Sequence, residues 1–124
     1  MQLYSSPEDY LYNLETTSPQ EAKKLWRKSI KEKWEHKCGY CESTEDLTLD
    51  HIIPQSKGGG DHLTNVICCC LNCNRSKGHF NWVDWYRSQE SFTIERYDAI
   101  VRWRTQLSNQ ELRVYRPRKN MVGE

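Results

Sequence analysis

Two cysteine pairs and the polar residues between them carry the chemistry of this sequence. Cys38-Gly39-Tyr40-Cys41 and Cys70-Leu71-Asn72-Cys73 are both Cys-x2-Cys turns. Each places two thiolates within one bend, and two such turns supply the four-sulfur tetrahedron that zinc favours. All four positions are then filled by protein, which makes the ion structural, with no site left for a substrate. The gap from Cys41 to Cys70 exceeds that of common zinc ribbons, so an inserted element must fill it. Cys69 directly precedes the second pair and is a rival to Cys70 as ligand; the x2 spacing favours Cys70. Cys68 and Cys69 otherwise serve as small strand hydrophobes. Inside the gap lie Leu49-Asp50-His51-Ile52-Ile53-Pro54, the loop Gly58-Gly59-Gly60-Asp61, and Asn65; Asn74, Lys77 and Gly78 follow the second pair. An isolated Asp-His dipeptide is ordinarily a surface or core pair.

Elements must exist to hold these groups. Leu47 to Leu49 alternate like a short strand ending at Asp50-His51, and Val66 to Cys69 read as its returning partner. Pro54 to Leu63 is a loop, and Asn65 closes it. A helix begins at Cys70, carries Asn74 and ends near Lys77, with Gly78 as its stop. Ahead of the first knuckle, Ser18-Pro19-Gln20-Glu21 is a helix start with a cap, a first-turn proline and a capping box. That helix is expected to run to about Glu35, with Ala22, Trp26, Ile30 and Trp34 on one stripe. A shorter helix is expected after Pro7, another around 81–86, and a later one over 93–107 with Ile94, Tyr97, Ile100, Val101 and Trp103 as its apolar positions.

The combination of Asp-His-Ile-x-Pro, the Gly-Gly-x-Asp loop, and Asn65 ahead of Cys70, followed by Asn74 and Lys77-Gly78, resembles the HNH endonuclease family over residues 38 to 78. The third motif position is Asn74 in place of histidine, an HNN variant. The resemblance implies an α+β fold: a small ββα-metal core, two antiparallel strands and a helix, with the structural zinc, flanked by further helices. It also implies phosphodiester hydrolysis assisted by one divalent ion. His51 is then the general base, since neutral imidazole is available near its unperturbed pKa of ~6.5. Asp50 and Asn74 are the ligands of the catalytic ion, and Asn65 pins the loop and orients the base. Two oxygen ligands suit Mg2+ or Mn2+ better than softer metals. Asp50 precedes His51 in a strand and points to the other face, so a bend at the strand end is needed to bring it to the metal.

Composition sets the partners. The 124 residues suit one domain, 1–124, with the basic helix at 19–36, the motif core at 38–78 and a C-terminal helix and basic tail at 93–124. Formal net charge is only +1, but it hides a division. Residues 1–21 hold four acids and no Lys or Arg, whereas 22–37 hold seven Lys or Arg. Lys24, Arg27, Lys28 and Lys31 on the helix, Arg75 and Lys77 on the metal helix, and Arg116 and Arg118 in the tail are the candidate contacts to DNA phosphates. No apolar run approaches the ~20 residues that span a bilayer, and no signal segment is visible, so a reducing, cytoplasmic setting in a bacterium or a phage-infected host is expected. The expected activity is nicking of duplex DNA by a monomer with little sequence specificity, with phage packaging proteins as expected partners. The alternatives are a non-catalytic zinc module that binds nucleic acid, and an endonuclease specific for branched DNA.

Overall fold

The computed structural model describes residues 3–105, a small α+β arrangement whose centre is one two-stranded antiparallel sheet. Strand β1 is Leu47–His51 and β2 is Val66–Cys70. Their register pairs Leu47 with Cys70, Asp50 with Ile67 and His51 with Val66. Every residue of β2 is buried. That burial accounts for its run of Val, Ile and Cys, since a strand with no wet face shows no polar alternation.

Helix α1 (Glu8–Tyr12) follows Pro7, and α2 spans Pro19–Lys33. The Ser18 hydroxyl accepts from the Glu21 amide, 3.2 Å away. The reciprocal half of the capping box does not form, because the Ser18 amide donates to Thr16 Oγ1. α2 buries Ala22, Trp26, Ser29 and Ile30. The Trp26 indole donates to the carbonyl of Tyr4, tying the first residues to this helix. The chain leaves α2 through Glu35 and His36, both left-handed at φ near +58° and +55°, and enters the first knuckle.

Helix α3 (Leu71–Lys77) follows β2 without a loop and stops at Gly78, φ +51°. Helix α4 is Trp82–Arg87, capped by the Asn81 side chain, which accepts from two backbone amides. The last described helix, α5, covers 94–105. Its inward face is narrower than the sequence pattern indicates. Ile100 and Trp103 are buried and Tyr97 is half-buried, whereas Ile94 and Val101 are exposed. These two lie seven apart, on a stripe turned away from the sheet. Trp103 donates to the carbonyl of Val66, and Trp82 and Trp85 are buried as well, so these indoles fill the core. No helix of the described residues is long and apolar enough to cross a membrane. Arg116 and Arg118 lie outside the described residues.

The glycine loop separates two kinds of constraint. Gly58 sits at φ +91° with open space where a Cβ would be, whereas a Cβ on Gly59 would strike the carbonyl of Ile53. Gly58→Ala is expected to cost about 1 kcal/mol through its backbone conformation alone. Gly59→Ala should cost clearly more, because the obstacle is backbone and the Asn65 amide lies behind it. Thermal melts of the two variants check the order; equal melting temperatures would contradict it.

Candidate active site and metal centre

The sulfurs of Cys38, Cys41, Cys70 and Cys73 all lie within 4.8 Å of one another, and Cys41 Sγ stands 3.6 Å from Cys70 Sγ. Four ligands at ~2.3 Å from a tetrahedral zinc are separated by about that distance, so the cluster fits the ion. Cys70, and not Cys69, belongs to this four-sulfur cluster: Cys69 pairs across the sheet with Thr48, and its thiol donates to the Cys70 carbonyl at 3.3 Å. Cys70 also caps α3 by accepting from the Cys73 amide. Left to themselves the sulfurs cannot all be charged. The Cys69 and Cys73 thiols hold Cys38 far below the usual thiol range, while burial pushes Cys41 up to about 11. A dication is what allows four thiolates to coexist.

Asp50, His51 and Asn74 line one open cleft, with Pro54, Gln55 and His79 around it. Asp50 is buried at 5% exposure and is held from two sides. Tyr40 donates its hydroxyl to Asp50 Oδ2 at 3.2 Å, and Lys77 Nζ stands 3.2 Å from the same oxygen. Burial pushes the Asp50 carboxyl above the ordinary carboxylate range, against the pull of Lys77, Tyr40 and His51. Burial, and then the Asp50 charge, push the Tyr40 hydroxyl well up, so it remains a donor.

Lys77 lies elsewhere than a phosphate contact would. It is fully buried, and Nζ also donates to the carbonyl of His51 at 3.0 Å. Three residues after Asn74 it falls on the inner face of α3, where it is the counter-ion of Asp50. Arg75, by contrast, is exposed on the outer face.

Asn74 donates from its amide nitrogen to the Leu49 carbonyl at 3.5 Å, leaving its amide oxygen to offer. Asp50 Oδ1 is the less engaged carboxylate oxygen, with Lys77 alone at 3.5 Å among the described residues. One carboxylate and one amide oxygen fit a hard divalent cation that keeps several waters. Asp50 and His51, neighbours in β1, both line this cleft.

Asn65 pins the loop between the strands. Its Oδ1 accepts from the Ile53 amide at 2.8 Å, and its Nδ2 donates to the carbonyls of Ile53 and Gly60, each at 3.0 Å. Arg104 of α5 reaches the same Oδ1 at 3.3 Å. Asp61, one residue after Gly60, stands 2.6 Å from His51 Nε2. The sequence shows Asp61 within the Gly-Gly-x-Asp loop but gives it no role, because nine residues separate it from His51.

A second cleft adjoins His51 and Asp61 on the other side. Lys23, Trp26 and Arg27 of α2 form its far wall. Lys23 and Arg27 are one helical turn apart and exposed, so Lys23 joins the basic residues expected from the sequence at this cleft. Lys24 and Lys28 are exposed on the neighbouring stripe, and Lys31 is half-buried.

Residues 38–83 match the family model described as HNH endonuclease. The chain is 26% identical over 93 residues to the CRISPR-associated endonuclease Cas9 of Corynebacterium diphtheriae, and 33% over 79 residues to that of Actinomyces naeslundii. It is 31% identical over 93 residues to the SPbeta prophage-derived putative HNH endonuclease YoqL of Bacillus subtilis. These matches take in 72%, 58% and 63% of this chain. The chain spans only 9% and 7% of the two Cas9 proteins and 39% of the prophage protein.

Two outcomes follow from the geometry. Purified protein is expected to carry one zinc per chain, and Cys41→Ser to lose it together with most of its cooperative unfolding transition; metal analysis and calorimetry on the same preparation check this. Lys77→Met should cost roughly 3–5 kcal/mol, since it leaves a buried carboxylate without its cation. Arg75→Met, on the exposed face, should stay within about 0.5 kcal/mol. Chemical denaturation measures both.

Proposed function

We propose, from the premise that residues 38–83 belong to the HNH endonuclease family, that this chain hydrolyses phosphodiester bonds in DNA with the help of a divalent ion. The observation that carries the reading is the convergence of Asp50, His51 and Asn74 on one open cleft, beside a wall bearing Lys23 and Arg27.

Each group has a task set by its surroundings. Lys23 and Arg27 draw the DNA backbone against His51, since cations beside a cleft concentrate a polyanion there. Lys24, Lys28 and Arg75 extend the basic surface. His51 is half-exposed, so water reaches its imidazole, and it takes the proton of the attacking water. Asp50 and Asn74 hold the Mg2+ or Mn2+ ion, which when bound supplies Lewis-acid stabilisation of the phosphate and of the leaving 3′ oxygen. Lys77 keeps the Asp50 carboxylate charged and aimed. The zinc is structural.

One such site meets one scissile phosphate at a time. The chain therefore nicks duplex DNA first and cuts the second strand in a separate encounter. The basic contacts address phosphates, which carry no sequence information, and this supports low sequence specificity. Similarity to a prophage-derived protein supports a phage-type origin.

The test uses supercoiled plasmid with Mg2+, Mn2+ or EDTA. Open-circular product should precede linear product, and EDTA should stop both. His51→Ala is expected to lose roughly 10²–10⁴-fold in rate while keeping its affinity for duplex. Asn74→Ala should raise the concentration of divalent ion required. Glutamate at Lys23 and Arg27 together should weaken binding to all sequences alike and lower the salt dependence by about two contacts. Full cleavage by His51→Ala would remove the mechanism. Duplex binding without cleavage in any divalent ion would favour a non-catalytic zinc module.

A further inference from the structure

We propose that Asp61 is a positioning residue for His51. Its carboxylate holds the imidazole as the Nε2–H tautomer, so that Nδ1 is the atom that receives the proton of water. The role of the tautomer in cleavage rests on the reading of His51 as the base; the tautomer itself does not.

The distance of 2.6 Å between His51 Nε2 and Asp61 Oδ1 is that of a charge-assisted hydrogen bond. An ionised carboxylate accepts and cannot donate, so the shared hydrogen belongs to Nε2. Neutral imidazole carries only one N–H. Once that hydrogen is placed on Nε2, the lone pair is on Nδ1. The Asp61 carboxylate is itself held: Gln55 Nε2 donates to the same Oδ1 at 3.2 Å.

The loop that brings Asp61 here is fixed on both sides. Asn65 binds the Gly60 carbonyl, and the Gly59 amide donates to the Pro54 carbonyl. Gly59 is pressed so closely on Ile53 that no side chain fits. Stability does not account for this arrangement. The Asp61 side chain is 64% exposed, and exposed ion pairs contribute little to folding. The loop therefore reads as a frame for the His51–Asp61 contact.

His51 borders two clefts, one shared with Asp61 and Gln55 under α2, the other with Asp50 and Asn74. Committing Nε2 to Asp61 leaves Nδ1 as the ring atom free for water. In the step, Nδ1 takes a proton from water as the new oxygen–phosphorus bond forms. The bond to the 3′ oxygen breaks, and that oxygen is protonated from solvent. The imidazolium so formed stays paired with Asp61 until it releases its proton to solvent.

The experiment has two arms. The first needs no substrate. Two-bond 1H–15N correlation spectra of the His51 ring, taken near pH 8.5 where ordinary imidazole (pKa ~6.5) is neutral, should show the Nε2–H tautomer. In Asp61→Asn, whose amide both donates and accepts, the pattern should shift to a mixture of tautomers. The second arm is cleavage at saturating divalent ion. Replacing a buried aspartate that fixes the tautomer of a catalytic histidine costs ~10⁴-fold. Water competes for Nε2 here, so Asp61→Asn should lower kcat about 10- to 100-fold. KM, duplex affinity and melting temperature should be unchanged, and Asp61→Glu should recover most of the loss. A predominant Nδ1–H tautomer in the unaltered protein would overturn the inference, as would a kcat of Asp61→Asn within twofold. If the unaltered protein cleaves no DNA, the nuclease reading fails, and the spectra still decide the pairing of His51 with Asp61.

Discussion

The four-sulfur knot is the constraint on which the rest of the cleft depends. It ties the turn before β1 to the junction of β2 and α3, and that junction has no loop. Cys70 is at once the last residue of β2, the cap of α3 and a member of the cluster. The direction of α3 is therefore set at its first turn. Asn74 and Lys77 follow one and two turns of sequence later, on the side of the helix that meets β1. A sheet of two strands is marginal by itself, and a seven-residue helix is far below the length that forms alone in water. Neither would hold a carboxylate and an amide on one cleft without the clamp.

Behind the cleft the protein sustains a costly arrangement. Asp50, Lys77 and Tyr40 place an ion pair and a phenol in a nearly dry pocket. Burying charge is unfavourable unless partners and hydrogen bonds replace the lost water. Here Lys77 spends its donors on Asp50 and on the His51 carbonyl, and Tyr40 adds a donor to the carboxylate. The ammonium thus links two consecutive residues of β1, one by side chain and one by backbone. This fixes the strand end where the alternation of a regular strand would have sent Asp50 and His51 apart.

Much of this was legible in the chain, for identifiable reasons. The x2 spacing of the cysteines is a local geometric rule, and so is the Ser18-Pro19 start of α2; both appear as read. The alternation around Leu47 to His51 gave the strand to within a residue or two. Lys77 was misread because a lysine on a helix is usually solvated, and only its buried partner across the sheet makes it otherwise. Asp61 carried no periodic signal at all, since a loop frames it. Lys23 differed from Lys24 by helix phase, which matters only once the position of His51 is known. Ile94 and Val101 are apolar positions of the rough 3.6-residue pattern that the structure leaves exposed, because the stripe buried around Ile100 and Trp103 is too narrow to take them.

The motif region is completed from outside itself. Val66 begins β2, and its carbonyl accepts from the indole of Trp103 on α5. The next residue of the same helix, Arg104, reaches Asn65. On the opposite side, Leu63 donates its amide to the carbonyl of Ser5, and Tyr4 accepts from Trp26 of α2. A buried backbone carbonyl without a donor costs free energy comparable to a lost hydrogen bond. Trp34, directly after α2, meets Trp103 of α5 edge-on at 5.2 Å, so the end of one flanking helix touches the other. The loop carrying Asp61 is thus braced by Asn65, by α5 behind it and by the first residues of the chain beside it. Asn65 ties α5 to the loop, because that one amide holds Ile53, Gly60 and Arg104 together.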